Sequence, residues 1–143
     1  MAIADYCRKD VCTVAPAATL REAAERMAAA GTGCAVVVAA DGQPLGVLTD
    51  RDLALRILCD HLDPGGVRVE ELRLPEPVML RLDQPLVEAA RCLRRHRFRR
   101  LPVVTDTGAL AGIVAADDLL QVVAAELAGL AAAVARQLGN ARA

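Results

Sequence analysis

The segment from Gly46 to Asp52, with the sequence Gly-Val-Leu-Thr-Asp-Arg-Asp, connects a predicted strand to a predicted helix. Thr49 and Asp52 therefore lie close together at the start of that helix. A carboxylate such as that of Asp52 can accept hydrogen bonds from both hydroxyls of a ribose. The Thr49 hydroxyl and the free backbone N–H groups of a helix N-terminus can hold a phosphate. One interpretation of this segment is therefore a nucleoside-binding site.

The same segment has a second interpretation that needs no ligand. A threonine followed three residues later by an aspartate, directly before a helix, is also an N-capping arrangement. Thr49 and Asp52 would then only satisfy the backbone N–H groups of the first turn. The residues of the segment alone leave both interpretations open, and capping is the commoner use of the pattern.

A second candidate group is an arginine-rich run, which consists of Arg91, Arg94, Arg95, Arg97, Arg99 and Arg100. The first three arginines fit the exposed face of an amphipathic helix. Arg99 and Arg100 enter a predicted strand and are the better candidates for contacting a ligand. Phe98 is the only aromatic residue among the arginines. Because base stacking has so little support, we do not expect a nucleic-acid surface.

The other reactive side chains do not form a recognisable catalytic or metal site. Cys7 and Cys12 could meet His61 or His96, but their spacing matches no zinc-binding pattern. The acidic pair at 117–118 opens a predicted helix, where negative charge suits the helix dipole. We find no nucleophile–base pair and no metal triad, so we expect a binding protein rather than an enzyme.

Composition and cysteine usage indicate the cellular compartment and the kinds of partner to expect. The formal net charge of −1 gives no global attraction to nucleic acids or membranes. Five cysteines are scattered without a CxxC pair, a pattern of free thiols in a reducing compartment. Residues 1–10 carry four charged side chains and lack the apolar stretch of a signal peptide. We therefore expect a cytoplasmic protein.

The elements that position the candidate residues are defined by an internal repeat. The two halves of the chain align in one register without a gap, and the identical pairs include Leu20 with Leu86, Glu22 with Glu88, Val37 with Val103, Gly46 with Gly112 and Asp52 with Asp118. The register holds through segments of both helical and strand periodicity, which chance does not readily produce. The sequence therefore predicts two copies of one structural unit.

Each copy is predicted to fold as β-α-β-β-α, which makes the chain an α/β (α+β) protein. In the first copy, strands are predicted at 12–14, 35–38 and 45–48, and the first helix at 20–30. In the second copy, strands are predicted at 78–80, 101–104 and 110–114, and the first helix at 86–96. The second helices begin near Asp50 and Ala116. Because both helices lie on one side of each small sheet, we expect the uncovered sheet faces to pack together about a pseudo-two-fold axis.

The predicted boundaries are 5–62 for the first copy, 63–68 for the linker, 69–123 for the second copy and 124–143 for a C-terminal helical extension. The linker contains the sequence Asp-Pro-Gly-Gly, which breaks secondary structure.

An apolar stripe at helical spacing continues into the extension, through Leu119, Val123, Leu127, Leu130, Val134 and Leu138. The stripe either covers the protein's own core or binds another subunit, and the second case predicts a homodimer. Glu126 and Arg136 interrupt this region. We therefore expect it to fall short of the roughly 20 clean apolar residues of a membrane span, with no membrane insertion.

The repeat and its motif resemble the CBS domain, a regulatory module named after cystathionine β-synthase, over nearly the whole chain from about Asp5 to Val123. The nucleotide-binding motif of that family is Gly-h-x-Thr/Ser-x-x-Asp, where h is apolar. Gly46, Thr49 and Asp52 match it fully. This resemblance favours the nucleotide interpretation of the segment over capping alone.

The second copy matches the family less completely. Gly112 and Asp118 fit the motif, but Ala115 stands where the hydroxyl belongs. The family often has a basic pair before Leu-Pro-Val, which Arg99 and Arg100 provide in the second copy. The first copy has uncharged residues there.

The resemblance implies a regulatory module that binds AMP, ADP, ATP or another adenosyl compound between the copies. Asp52 would hold the ribose, and Thr49, Arg99 and Arg100 would lie near the phosphate, with Asp118 marking a weaker second cleft. The output would be an interaction with a separate effector protein, and no resident cofactor is implied. The alternative is a nucleotide-free dimerisation or protein-docking scaffold, which the incomplete second motif supports.

Overall fold

Two three-stranded sheets form the frame of the protein. A computed structural model describes residues 1–96 and 98–140 of the chain. In each sheet the first strand runs parallel to the second, and the second runs antiparallel to the third. The strands are β1 (Thr13–Val14), β2 (Cys34–Val38) and β3 (Pro44–Thr49), then β4 (Leu80–Arg81), β5 (Arg100–Val104) and β6 (Leu110–Ala115).

Four helices accompany the sheets and complete the same order of elements twice. They are α1 (Leu20–Ala30), α2 (Asp50–Cys59), α3 (Leu86–Arg95) and α4 (Ala116–Asn140). The predicted β-α-β-β-α order of both copies is confirmed, and so is the long C-terminal helix. The sequence did not reveal two short 3-10 helices at Ile3–Asp5 and Val69–Leu72.

Local sequence signals explain where these elements start and turn. Thr19 caps α1 by accepting a hydrogen bond from the Glu22 N–H at 3.2 Å, and Glu22 bonds back to the Thr19 N–H at 2.7 Å. This reciprocal pair is a capping box. The β-hairpins turn at Gly42 and Gly108, whose φ angles of 89° and 85° require a residue without Cβ.

The two copies share one buried interface besides their own cores. Cys34 and Val36 of β2 pack against Ile113 of β6 in a cluster formed by both sheets. The hairpins also meet directly, because the Leu110 N–H donates to the Gly42 carbonyl at 2.9 Å. The apolar sheet faces are thus buried against each other, as the repeat predicts.

Short segments are exchanged between the copies. Ile3 leads into the first copy, yet it is fully buried in the core of the second copy beside β4 and β5. Val69 and Leu72 lead into the second copy, yet they are buried in the core of the first. Each copy is therefore completed by the segment that leads into the other.

The helix α4 begins against the second core and then leaves it. Leu119 is buried there, whereas Leu120, one residue later, is 68% exposed. The predicted stripe is thus split after Leu119. Its exposed part consists of Val123, Leu127, Leu130, Val134 and Leu138, and it is joined by the exposed Leu120, which the predicted stripe did not include. Covering the protein's own core explains Leu119 and not the exposed part.

By length and composition alone, α4 is able to cross a membrane. An 18-residue stretch within Ala116–Gly139 has a mean hydropathy of 1.6 and is 6% buried. One helix of this kind does not by itself indicate a membrane span, and the expectation of no membrane insertion stays a prediction.

Candidate functional site

The first cleft lies between the two copies and has a volume of about 600 Å³. Its walls are formed by the end of β3 and the start of α2 on one side, and by β5 and β6 on the other. The structure brings Thr49, Asp52, Arg99 and Arg100 together in this cleft. These are four of the residues that the sequence predicts to contact a ligand, although they come from different copies.

Thr49 and Asp52 cap α2 and also face the cleft. Oδ2 of Asp52 accepts from the Thr49 N–H at 2.9 Å and from the Thr49 hydroxyl at 2.7 Å. The Asp52 N–H donates to the Thr49 hydroxyl oxygen at 3.1 Å. Within the described residues, no hydrogen bond uses Oδ1 of Asp52. Capping and ligand binding therefore need not compete, because they use different oxygens.

The backbone N–H groups at the start of α2 are already bonded within the protein. The Asp50 N–H donates to the Gly33 carbonyl at 2.9 Å. The Arg51 N–H donates to the Asp50 carboxylate at 2.8 Å, and the Asp52 N–H to the Thr49 hydroxyl. These N–H groups are therefore not free in the structure, contrary to the expectation from the sequence, whereas the phosphate contact itself stays a prediction. Phosphate contacts would fall to the arginines across the cleft.

Arg99 and Arg100 differ in how firmly they are held. The Arg99 side chain is 80% exposed and makes one long contact, at 3.3 Å, with the Asp117 carboxylate. Arg100 is half-buried as the first residue of β5, opposite Ala115 of β6. It has no ion-pair partner in the part of the chain that the structure describes. Of the two arginines, Arg100 is therefore better placed to donate hydrogen bonds to a ligand in the cleft.

Gly46 supports the site and does not line it. The residue is buried in β3, where a Cβ atom would come within 3.1 Å of the Leu74 side chain. A glycine is needed here because the segment around Leu74 packs directly on the strand. The structure thus places this motif residue behind the cleft.

The second cleft has a volume of about 550 Å³ and adjoins the first, with which it shares the lining residues Gly33, Arg100, Ala115 and Asp117. The structure places Asp118 here together with Arg100, whereas Thr49, Asp52 and Arg99 line only the first cleft. Its Oδ2 accepts from the Ala115 N–H at 3.2 Å, in the same way as Asp52 does from Thr49. Its Oδ1 accepts from Nε of Arg8 at 3.1 Å and from Nη2 of Arg8. Both oxygens of Asp118 are therefore in use.

Arg8 is a residue of the second cleft that sequence reasoning missed. Its guanidinium is 60% exposed, while the Asp118 side chain is 14% exposed. The hydrogen bond and the charge of Asp118 raise the pKa of Arg8. The repeat offered one signal, because its register places Arg8 on Leu74. An arginine thus stands where the other copy has an apolar residue.

Metal ligands are not concentrated anywhere in residues 1–96 and 98–140, which contain no cluster of three or more His, Cys, Asp or Glu side chains. The cysteines are free thiols. Burial is the main reason that the pKa of Cys12, which lines the second cleft, is raised. A raised pKa makes this thiol less reactive near neutral pH.

The repeats, the exchanged segments and the paired clefts define a tandem α+β module in which both copies build each cleft. The family model of the CBS domain matches residues 3–58 and 69–125, and the chain therefore belongs to the CBS-domain family. Proteins of this family are typically regulatory rather than catalytic.

Relatives and solved structures agree with this assignment. The chain is 38% identical over 117 residues to the CBS domain-containing protein YhcV of Bacillus subtilis, covering 82% of this chain and 81% of that protein. It is 32% identical over 122 residues to the uncharacterized protein MK0525 of Methanopyrus kandleri, covering 85% of this chain but 62% of that protein. CBS domain protein PAE2072 from Pyrobaculum aerophilum, complexed with AMP, has a TM-score of 0.75 and 29% identity, covering 83% of this chain and 90% of that chain.

Proposed function

We propose that this chain is a ligand-sensing regulatory module that binds an adenine nucleotide in the first cleft. The observation that carries the proposal is the Asp52 carboxylate. One of its oxygens completes the cap of α2, and the other has no hydrogen-bond partner within the described residues. Three arginines, Arg51, Arg99 and Arg100, line the same cleft. The AMP complex of the similar Pyrobaculum protein supports an adenine nucleotide as the ligand.

The cleft offers a separate place for each part of a nucleotide. Oδ1 of Asp52 has two lone pairs and can accept from the two ribose hydroxyls. Val47, Pro75 and Phe98 give the cleft an apolar wall on which an adenine ring can pack. Arg100 is the main candidate for the phosphate, since guanidinium groups bind phosphate oxygens with paired hydrogen bonds.

The charge of the cleft favours a short phosphate chain. Its lining holds as many acidic as basic side chains, namely Asp50, Asp52, Asp117, Arg51, Arg99 and Arg100. Such a balance leaves no surplus of positive charge for a triphosphate. We therefore expect AMP to bind more tightly than ADP or ATP.

Binding in a cleft that both copies build can regulate a separate protein. A ligand shifts the arrangement of the copies only if it binds one arrangement more tightly than another. We propose that a cytoplasmic effector protein recognises the AMP-bound arrangement. The family's regulatory character supports this output.

Calorimetry and thermal denaturation with AMP, ADP, ATP and GMP test the ligand. AMP should bind best and raise the melting temperature. Saturation at about 100 times the Kd stabilises a folded protein by roughly 2.7 kcal/mol. GMP controls for unspecific phosphate binding. Equal effects of GMP and AMP, or no effect of any nucleotide, would contradict the proposal and leave the scaffold function.

We also propose a homodimer, and the exposed face of α4 is the observation that favours it. From Leu120 to Val134 the apolar residues follow at alternating spacings of three and four. That alternation is the seam of a two-helix coiled coil. At about 1.5 Å per residue, the face from Leu120 to Leu138 is roughly 27 Å long. A second copy of α4 matches this face in length and chemistry, and a nucleotide-free scaffold would use it too.

Light scattering at micromolar concentration tests the dimer. The parent should have twice the mass of one chain, and Leu127→Glu should be monomeric because it buries a charge in the seam. Leu45→Glu is the matched control, since Leu45 is exposed on β3 and away from α4. A parent that is monomeric, or that binds to phosphatidylcholine vesicles through α4, would contradict this interface.

A further inference from the structure

We propose that Arg8 closes the second cleft of its own chain. Its guanidinium is hydrogen-bonded to Asp118 at the position where the ribose of a ligand would bind, and each chain therefore binds one nucleotide. The inference rests on the proposed function of the first cleft, and it adds that Arg8 determines how many nucleotides one chain binds. Ala115 alone would leave Asp118 with one oxygen for a ligand, whereas Arg8 takes that oxygen.

The contrast between the two aspartates carries the argument. Each binds a backbone N–H of its own helix start through Oδ2. In the first cleft Oδ1 of Asp52 is available, as judged over the described residues. In the second cleft Oδ1 of Asp118 accepts two N–H groups of the Arg8 guanidinium. A ribose hydroxyl can reach Asp118 only if the guanidinium leaves.

The backbone of Arg8 is fixed, so its side chain is aimed at Asp118. The Arg8 N–H donates to the Ile113 carbonyl, and the Ile113 N–H donates to the Arg8 carbonyl, both at 2.9 Å. This pair of bonds adds Arg8 to the edge of β6. Gly112 makes the approach possible, because a Cβ there would lie 2.8 Å from the Arg8 carbonyl oxygen. Ile3, fully buried in the second core, holds the start of the same segment.

The first cleft is also bordered by a segment that packs on a glycine of its third strand, but a different residue stands at the position equivalent to Arg8. The repeat register that places Asp52 on Asp118 also places Leu74 on Arg8. Leu74 packs on Gly46 of β3, as the segment at Arg8 packs on Gly112 of β6. A leucine cannot donate a hydrogen bond to Asp52. One residue of the exchanged segment thus distinguishes a cleft open to ligand from a closed one.

Calorimetry with AMP on the full chain tests the inference, and Arg8→Leu is the variant because it installs the residue of the first cleft. The parent should bind one AMP per chain, and Arg8→Leu should bind two. Asp118→Asn added to Arg8→Leu should return the count to one. Arg81→Leu is the matched control, since it removes an exposed arginine paired with Asp83 and Asp106 outside both clefts. This control should bind one AMP.

Each result has a definite meaning. Two sites in the parent, or one site in both the parent and Arg8→Leu, would overturn the role of Arg8. No site in the parent but one in Arg8→Leu that Asp118→Asn abolishes would support Arg8 and refute the first cleft as the nucleotide site. No binding in any variant would overturn both. Arg8→Met keeps an unbranched aliphatic stem without a hydrogen-bond donor, so it replaces Arg8→Leu if melting curves show that the leucine variant is unfolded.

Discussion

The two clefts arise from one repeated sequence and differ in how the chain completes them. In the first, Asp52 keeps a carboxylate oxygen available beside Arg100. In the second, the equivalent Asp118 is bonded on both oxygens, one of them to a residue 110 positions away. The difference teaches that a matched motif defines a possible site, whereas residues outside the motif decide whether that site is open.

The largest expected effect comes from replacing Asp52 by asparagine. The amide oxygen can keep the two cap contacts now made by Oδ2, but an N–H donor replaces the acceptor that faces the cleft. Hydrogen bonds to charged groups contribute roughly 1.5–3 kcal/mol, so AMP affinity should fall about tenfold or more. Calorimetry measures the loss, and the melting temperature should change little.

Asp118→Asn is the matched control for that substitution in the second cleft. It should leave AMP affinity unchanged, because Arg8 already excludes a ligand there. Equal losses from the two substitutions would remove the distinction between the clefts.

Arg100→Gln should have the next largest effect. Its half-buried guanidinium lines the first cleft without an ion-pair partner among the described residues, so AMP should bind on the order of fivefold more weakly. Adenosine, which lacks the phosphate, should bind as before. Arg99→Gln, at a position 80% exposed, should change AMP affinity less. A larger loss of AMP affinity for Arg99→Gln than for Arg100→Gln would mean that Arg99, and not Arg100, binds the phosphate.

Ala115→Thr separates the missing hydroxyl from the presence of Arg8. It restores the threonine that caps α2 in the first copy, so the free energy of unfolding should rise by about 0.5–1 kcal/mol. The number of AMP molecules bound should stay at one, because Arg8 still holds Asp118. Chemical denaturation and calorimetry report the two quantities. A second AMP site in this variant would mean that the hydroxyl is the deciding difference.

The smallest effect concerns the first helices of the two copies. Hydrogen bonds from Thr19 lower the pKa of Glu22 below its usual 4.5, whereas α3 starts at Pro85 without a side-chain cap. A lowered folded-state pKa stabilises the protein above about pH 4.5, and this stabilisation is lost as the pH falls through the folded pKa. The unfolding free energies of the parent and Glu22→Gln should therefore converge on acidification. A gap between the two that widens in acid would contradict the assignment.

The fold was predictable because its signals are local and occur twice. The repeat fixes the order of elements, the capping residues at Thr19 and Thr49 mark helix starts, and the glycines at 42 and 108 mark the hairpins. A repeat with one apolar face per copy also predicts that the copies pack together.

Part of the site was not predictable, because it depends on contacts between distant residues. Neighbouring residues do not reveal that Arg8 reaches Asp118, since the segment that carries it is exchanged between the copies. The sequence likewise does not show that Gly33 accepts the first N–H of α2. Leu119 and Leu120 differ in burial because they point about 100° apart on the helix, and periodicity alone does not fix its rotation against the core.

The exchange of the segments that precede the two copies has a consequence for how the molecule folds and whether its halves are stable alone. Apart from its neighbours Tyr6 and Cys7, Ile3 must find core residues that lie at position 78 or beyond. Apart from its own segment at 67–74, Val69 must find core residues that lie within 12–62. Such distant pairings make folding slow and strongly cooperative, since neither half gains its full core alone. A chain cut between 62 and 69 would not yield two independent halves. The duplicated unit of sequence is thus not a unit of stability, and the pair unfolds as one.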